Sequence, residues 1–363
     1  MLERFHVPKD KAIFIKPQEI LKTVTSIFSK IGLPDQDSLQ AAEVLIYADS
    51  RGIDSHGVSN MLRSYVDSFN KGNLNNNPKW KIKKEFGAVC TIDGDGGLGS
   101  VVGPHGMREA IKRAKEFGIG SVTVMNSGHF GAAAYYADQA VKSNMIGLAT
   151  TGGGVGMAPT FSSEKLLGLN PIAVGAPTKV NPPFIFDAST SSVAGNKIEL
   201  ARRLGVKVLP GWISDKDGVP IMEEVNIPEY DNPKDKPMVL PFGGTRELGS
   251  HKGYSFSVIA EILCGGLGNN GLGPFRRDMT AHHFTAYNIE AFGSLEEFTK
   301  DLDEYLTRLK ESKPAPGHER VVYAGLPEHE EETHRIEEGI PYHPEVVDWF
   351  RDICQELAIE FTY

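Results

Sequence analysis

Apolar side chains recur at the 3.6-residue period along the N-terminal part of the chain. After Pro17, the positions Ile20, Leu21, Val24, Ile27, Phe28 and Ile31 line one helical face, and Gly32 with Pro34 closes it. A second helix is predicted through Leu39, Ala42, Leu45 and Ile46, and a third from Val58 through Met61, Leu62, Tyr65, Val66 and Phe69, ending at Lys71 and Gly72. Asn73 to Pro78, Asn-rich and closed by proline, reads as the linker out of this helical unit. From about Trp80 the texture changes to short β-rich runs alternating with helices. Strands are predicted over 88–93, 119–125, 145–151, 172–176, 184–187 and 282–289, and helices over 104–117, 131–142, 192–204, 254–263, 294–310 and 344–359. Ser294 and Glu297 form a capping box at the start of the penultimate one. The last carries Val346, Val347, Phe350, Ile353 and Leu357 on one face and is expected to pack with the N-terminal helices. The Pro- and Asp-rich stretch 215–237 reads as a surface excursion. This alternation is that of an α/β protein.

Composition removes several function classes. The 363 residues leave room for two domains and a large core. With 38 basic against 47 acidic side chains the formal charge is -9, and no basic stripe with interleaved aromatics offers a nucleic-acid surface. The opening residues lack a basic segment followed by an apolar run, and no apolar run approaches the roughly 20 residues that cross a bilayer. Cys90, Cys264 and Cys354 are far apart without CxxC spacing, so neither a disulfide framework nor a zinc cage is expected, and all three read as buried free thiols. A cytoplasmic, metal-free protein is the expectation.

Two glycine clusters invite a phosphate-loop reading. Gly94-Asp-Gly96-Gly-Leu-Gly99 matches GxGxxG after a strand, but Ser100 to Gly103 are expected to separate it from the helix, and no strand-ending acid follows at the required distance. A tight turn is the better reading. Gly152-Gly-Gly-Val-Gly156 follows a strand, where bare backbone suits close approach to a ligand.

Candidate chemistry gathers at loops. Asp54 or Ser55 is expected to cap the third helix, which places His56 at a helix N-terminus, where the dipole favours a neutral imidazole beside a bound anion. His129, in the turn after the strand 119–125, is a second acid–base candidate beyond the carboxyl end of a strand. Asp187 with Ser189 and Ser191 ends another strand and offers groups for ribose or amide recognition, for orienting an imidazole, or for an Asx cap on the next helix. Lys252 can grip a phosphate or carboxylate as a point charge. Arg51 and Arg63 bracket the His56 loop and are the candidate carboxylate clamp, with Ser55 counted among the substrate contacts. His282 and His283 point to opposite faces of a strand and cannot share a metal. Glu328 to His334 is metal-capable in composition but reads as a solvated acidic turn.

Arg51-Gly-Ile-Asp-Ser-His-Gly57, Asn126-Ser-Gly-His-Phe-Gly-Ala132, Gly168-Leu-Asn-Pro171, Phe186-Asp-Ala-Ser189, Pro241-Phe-Gly-Gly244 and His251-Lys-Gly253, taken in this order, resemble the malate/L-lactate dehydrogenase-like family. The resemblance implies a non-Rossmann fold, with a central mixed-sheet α/β domain (78–311) and a helical domain formed by the N- and C-terminal segments (1–77 with about 312–363). It further implies a homodimer that uses NAD or NADP, NAD put first, and that interconverts a small 2-hydroxy acid and its 2-oxo acid. Malate and oxaloacetate lead, with lactate, sulfolactate, ureidoglycolate, diketogulonate or a cyclic imine acid as alternatives. The acid–base role falls on His56 or His129, and cofactor contacts fall on Asp187, Ala188, Ser189, Lys252, Gly253 and the turn Ala324-Gly325-Leu326.

Two departures bear on substrate. Asn60 stands where many relatives have arginine four residues after the histidine, and Gly152-Gly153 replaces an Asn-Thr or Asn-Ser pair. Two rivals remain: a metal-dependent lyase or hydrolase, which needs clustered ligands that the sequence lacks, and a catalytically silent cofactor-binding relative, against which the retained His56 and His129 count.

Overall fold

The computed structural model describes residues 3–227, 236–361 and 363. A short strand, β1 (Ile13–Ile15), leads into three helices, α1 (Pro17–Lys30), α2 (Asp35–Ser50) and α3 (Val58–Asn70). Pro17 sits at the start of α1, where a missing N–H leaves nothing unpaired, and the helix buries Ile20, Val24, Ile27 and Phe28.

The sheet elements follow as β2 (Lys81–Phe86), β3 (Val89–Gly97), α4 (Gly99–Phe117), β4 (Ile119–Ser127), α5 (Ala133–Val141), β5 (Met145–Gly152), β6 (Ile172–Ala176) and β7 (Phe184–Ala188). After them come α6 (Gly195–Leu204), the short strands β8 (Ile213–Ser214) and β9 (Met238–Val239), and α7 (Ser250–Glu261), which continues as a π turn to Gly266. β10 (Thr280–Asn288), α8 (Leu295–Lys310), α9 (Leu326–Glu338), β11 (Ile340–Tyr342) and α10 (Pro344–Glu356) complete the order.

Among the described residues, seven strands form one mixed sheet in the order β2-β3-β4-β10-β5-β6-β7. β3 and β4 pair in parallel through the crossover helix α4, and the other neighbours are antiparallel. β10 is threaded between β4 and β5, with Phe284 opposite both Val122 and Ala149. Strand alternation turns Phe284 toward α4 and α5, where its ring meets Tyr136, and turns His283 and Thr285 the other way. One hydrophobic core runs from α1, α2, α3 and α10 through α4 and α5 into the sheet. β1 pairs with β11, Phe14 opposite Pro341, and so joins the two ends of the chain. The C-terminal helix packs with the N-terminal ones, as its apolar face requires: Val346, Val347, Phe350 and Ile353 lie in that core.

Several expectations need correction. Ser100 to Gly103 are not an intervening loop but the first turn of α4, which opens at Gly99 and tolerates Pro104 within it. A side chain at Gly99 would overlap the carbonyl of Gly128, so the glycine allows α4 to butt against the turn carrying His129. β2 escapes the sequence pattern because all six of its residues, several of them lysines, are exposed. Glu328 to His334 lie within α9, not in a turn, and its inner face is polar because Arg335 is buried there against Asp54 and Glu331. Of the stretch 215–237, residues 228–235 lie outside the described residues, and its flanks pair as β8 and β9.

Candidate active site

A cavity of about 1040 Å³ opens between the N-terminal helices, the ends of β5 and β7, the first turn of α6 and the start of α9. His56 and His129 both line it. Their rings lie nearly parallel with centroids 5.7 Å apart.

The loop carrying His56 is held from three sides. Val58, the first residue of α3, donates its N–H to Asp49 Oδ2 at 2.9 Å, and Tyr342 donates its hydroxyl to the same oxygen at 2.7 Å. The cap therefore comes from Asp49 on α2 rather than from Asp54 or Ser55. A Cβ at Gly57 would fall on the Asp49 carboxylate, which is why the position after His56 carries none. Asp54 instead pairs with the buried guanidinium of Arg335, 2.6 Å away, and Ser55 places its Oγ 2.9 Å from His56 Nδ1. Asn196 of α6 donates its amide to the Ser55 carbonyl at 2.8 Å.

His129 is fixed more tightly. Gly131 donates its N–H to His129 Nδ1 at 3.2 Å, and the hydroxyl of Tyr65 lies 2.6 Å from the same nitrogen. A backbone N–H can only donate, so Nδ1 is the acceptor and the neutral ring carries its proton on Nε2. Burial pushes both imidazoles down, His56 to about 4, with Lys197 adding to the effect, and His129 to about 3, helped by His56 and His282. Both rings are thus uncharged at neutral pH. Behind them His282 stacks on Phe130 and bonds Thr151, Ser127 and the Gly128 carbonyl, while His283, on the opposite face, bonds Thr123 and Thr285.

On the far wall Asp187 accepts the N–H of Ala134 at 2.7 Å, capping α5 and not the helix that follows it in sequence. Burial raises its carboxyl to about 6 against the pull of that hydrogen bond. Ala188, Ser189, Gly153, Gly154 and Gly325 line the same cavity. Asn170, at φ 33°, accepts the Gly153 N–H and donates to Glu261, whose carboxylate is held in a buried pair with Arg276 at 2.6 Å. Glu261 thereby holds the Gly152-Gly153 backbone from outside the cavity.

The remaining sequence candidates divide. Arg51 lines the cavity, with its guanidinium 2.7 Å from Glu332 and stacked 4.4 Å from the Tyr47 ring centre. Arg63 is exposed on α3 and Lys252 is exposed on α7, and neither lines the cavity. Gly253 is buried against the backbone of Phe242, a cavity residue. Ala324 accepts the N–H of Ile185, and Leu326 is buried in the small core against α8, so of this turn Gly325 alone faces the cavity. Asn60 donates to the Asp54 carbonyl at 2.6 Å and accepts from Arg203, and so ties the His56 loop to α6.

Sequence reasoning passed over Tyr65, Asn170, Asn196 and Lys197. Tyr65 sat in an apolar stripe, and its signal was a hydroxyl that burial obliges to find a partner. For Lys197 the signal was a cation in the first turn of a helix, the end where the dipole disfavours it.

The sequence matches the family description "Malate/L-lactate dehydrogenase" over residues 15–351. The chain belongs to the malate/L-lactate dehydrogenase family. Within this family it is 36% identical to the malate dehydrogenase of Pyrococcus abyssi, covering 99% of both chains, and 35% identical to the L-sulfolactate dehydrogenase of Methanocaldococcus jannaschii, covering 96% of this chain and 98% of that one. The solved malate dehydrogenase of Entamoeba histolytica superposes with a TM-score of 0.91 at 31% identity, covering 97% of this chain and all of the other. Membership in the malate/L-lactate dehydrogenase family makes the protein an oxidoreductase acting on a CH–OH donor of small size with a nicotinamide cofactor. Among the described residues, no helix is long and apolar enough to cross a membrane.

Proposed function

We propose that the protein interconverts malate and oxaloacetate with NAD, using His56 and His129 as its acid–base pair. The observation that carries this reading is the convergence of two half-buried, uncharged imidazoles on one cavity large enough for a dinucleotide and a small acid together, since ligand pockets run to about 1,000 Å³. The donor set of the far wall fits the cofactor. Asp187 supplies an acceptor for ribose hydroxyls or an amide, Ser189 a hydroxyl, and Gly153 to Gly154 bare backbone; a Cβ at Gly154 would meet no atom within 4 Å, so that stretch stays open. When bound, the nicotinamide supplies or accepts hydride at the carbon bearing the hydroxyl. Opposite it, His129 presents its Nε2–H to the substrate oxygen, and His56 stands beside it to exchange the hydroxyl proton. Both rings are half-buried in the cavity wall.

NAD is favoured over NADP by the cavity rim. Glu328, Glu330 and Glu331 stand there, and Arg320 is already held by Glu330 at 2.7 and 2.5 Å, leaving an extra phosphate poorly served. Malate leads because of the relatives' names and their near-complete coverage. A homodimer is supported by the inverted amphipathicity of α7: it buries Ser250, Gly253, Ser257 and Ala260 but exposes Phe256, Val258 and Ile259, with Ile262 beyond its end, a face suited to a second copy. The split into a helical unit (1–77 with 312–363) and an α/β unit (78–311), and a cytoplasmic setting, belong to the same reading.

The test is to follow nicotinamide absorbance with purified protein, offering NADH and NADPH in turn against oxaloacetate, pyruvate and sulfopyruvate. Preferential oxidation of NADH with oxaloacetate is the expected outcome; selective turnover of another pair would replace malate or NAD, and cofactor binding without turnover would leave a silent relative.

A further inference from the structure

A 2-oxo acid brings a carboxylate beside its reacting carbon, and that charge needs a cation within the cavity. Arg63 is exposed and lies outside it, and Asn60 brings no charge. Two cations on the wall are already engaged: Arg51 with Glu332 and the Tyr47 ring, and Arg320 with Glu330. Lys197 is different. It lines the cavity from the first turn of α6, it is half-buried, and no carboxylate of the described residues lies within ion-pair distance of it.

Its position is set by the same contacts that fix His56. Asn196, its neighbour, donates to the Ser55 carbonyl at 2.8 Å, and Arg203, two turns further along α6, donates to Asn60 at 3.2 Å. Helix α6 and the His56 loop therefore form one unit, and the charge of Lys197 is felt at the imidazole, which it helps to keep uncharged. Burial also weakens the hold of Lys197 on its own proton, while the charges of Asp54 and Glu328 favour the charged form. A half-buried ammonium with no counter-ion is unfavourable as it stands and is relieved by an anion placed between it and His56.

We propose that Lys197 binds the carboxylate attached to the reacting carbon of the substrate. This rests on the reading of the substrate as a 2-oxo or 2-hydroxy acid. A cation at this point fixes the acid by one end and leaves C2 facing His56 and His129. Because every 2-oxo acid carries that carboxylate, Lys197 sets affinity for the class and leaves the choice among side chains to other residues.

The experiment compares wild type with Lys197→Gln and Lys197→Arg. Oxamate, a non-reacting isostere whose single carboxylate is the one in question, is titrated calorimetrically onto protein saturated with reduced cofactor, and cofactor affinity is measured separately by fluorescence. Lys197→Gln is expected to weaken oxamate by roughly 100-fold and to raise KM for oxaloacetate and pyruvate alike, with cofactor affinity within twofold of wild type, and Lys197→Arg to recover part of the loss. Unchanged oxamate affinity in Lys197→Gln, or a KM effect confined to the dicarboxylate, would overturn the assignment. Wild-type protein that binds cofactor but neither oxamate nor any 2-oxo acid would overturn the substrate class itself, and the role of Lys197 with it.

Discussion

The hydroxyl of Tyr65 lies 2.6 Å from Nδ1 of His129, on the nitrogen that also receives the N–H of Gly131. Two donors on one nitrogen select a single tautomer and leave the other nitrogen to the cavity. Removing one should loosen the ring without emptying its site. Tyr65→Phe is expected to lower kcat on the order of 10- to 100-fold, with KM for the oxo acid changed far less, because the substrate does not touch the lost hydroxyl. Steady-state kinetics decides; an unchanged kcat would mean that Gly131 alone orients the ring.

Gly57 is predicted to be intolerant of any side chain. A methyl there would overlap the Asp49 carboxylate, which serves both Val58 and Tyr342, so accommodating it breaks two buried hydrogen bonds at once. Gly57→Ala should lose about 3 kcal/mol of stability or more in urea unfolding. A loss under 1 kcal/mol would show that Asp49 has room to swing aside.

The buried pair of Glu261 and Arg276 should couple stability to cofactor binding. Glu261→Ala strands a guanidinium among buried groups, at a cost of about 3–5 kcal/mol. It also removes one of three acceptors of the Asn170 amide, leaving Ser257 alone to hold the residue that receives the Gly153 N–H, so cofactor affinity measured by fluorescence should fall even where the variant remains folded at low temperature. Glu261→Gln, which keeps an acceptor for Asn170, should retain more of that affinity than Glu261→Ala.

Stability should fall on the acid side of neutrality. His56, His129, His282 and His283 are held neutral by burial, with values of about 4, 3, 3 and 4 against the ordinary 6.5, so the unfolded chain takes up protons that the folded one refuses. Their contribution is complete above about pH 6.5 and is lost as pH drops toward 4. Asp49 and Asp187, raised to about 7 and about 6, act in the opposite sense, since the folded chain holds their protons more tightly, but they are outnumbered. The thermal midpoint should therefore drop between pH 6.5 and 4, and His283→Gln, which removes a histidine outside the cavity, should flatten that drop. A midpoint that rises over this range would mean the carboxyls dominate.

Much of the fold was legible because burial wrote a period into the chain. The stripes of α1, α3 and α10 and the runs of β4, β5 and β6 are apolar on the face that meets the core, and they lie where the pattern puts them. β2 and α9 were not legible, for one physical reason: neither presents an apolar face. β2 is held by its edge pairing to β3, and α9 by the buried charge of Arg335. In the site, His56 and His129 could be named from their loops, whereas the carboxylate beneath Gly57 could not. Asp49 lies within a helix and reads as an ordinary polar position; its role exists only once Tyr342, from the far end of the chain, closes over it.

That closure by late residues has a counterpart in the sheet. β10 fills the gap between β4 and β5, yet it follows both by more than a third of the chain, after α6 and α7. A nascent polypeptide leaving the ribosome therefore carries two half-sheets with facing unsatisfied edges until Asn288 has been made. The turn bearing His129 gains its floor, His282, only with that same strand. Protein synthesis must thus pass His282 before the His129 turn, and Tyr342 before the His56 loop, meets its proper surroundings, and until β10 is made the open edges of β4 and β5 are where a stalled or truncated chain would recruit a neighbour.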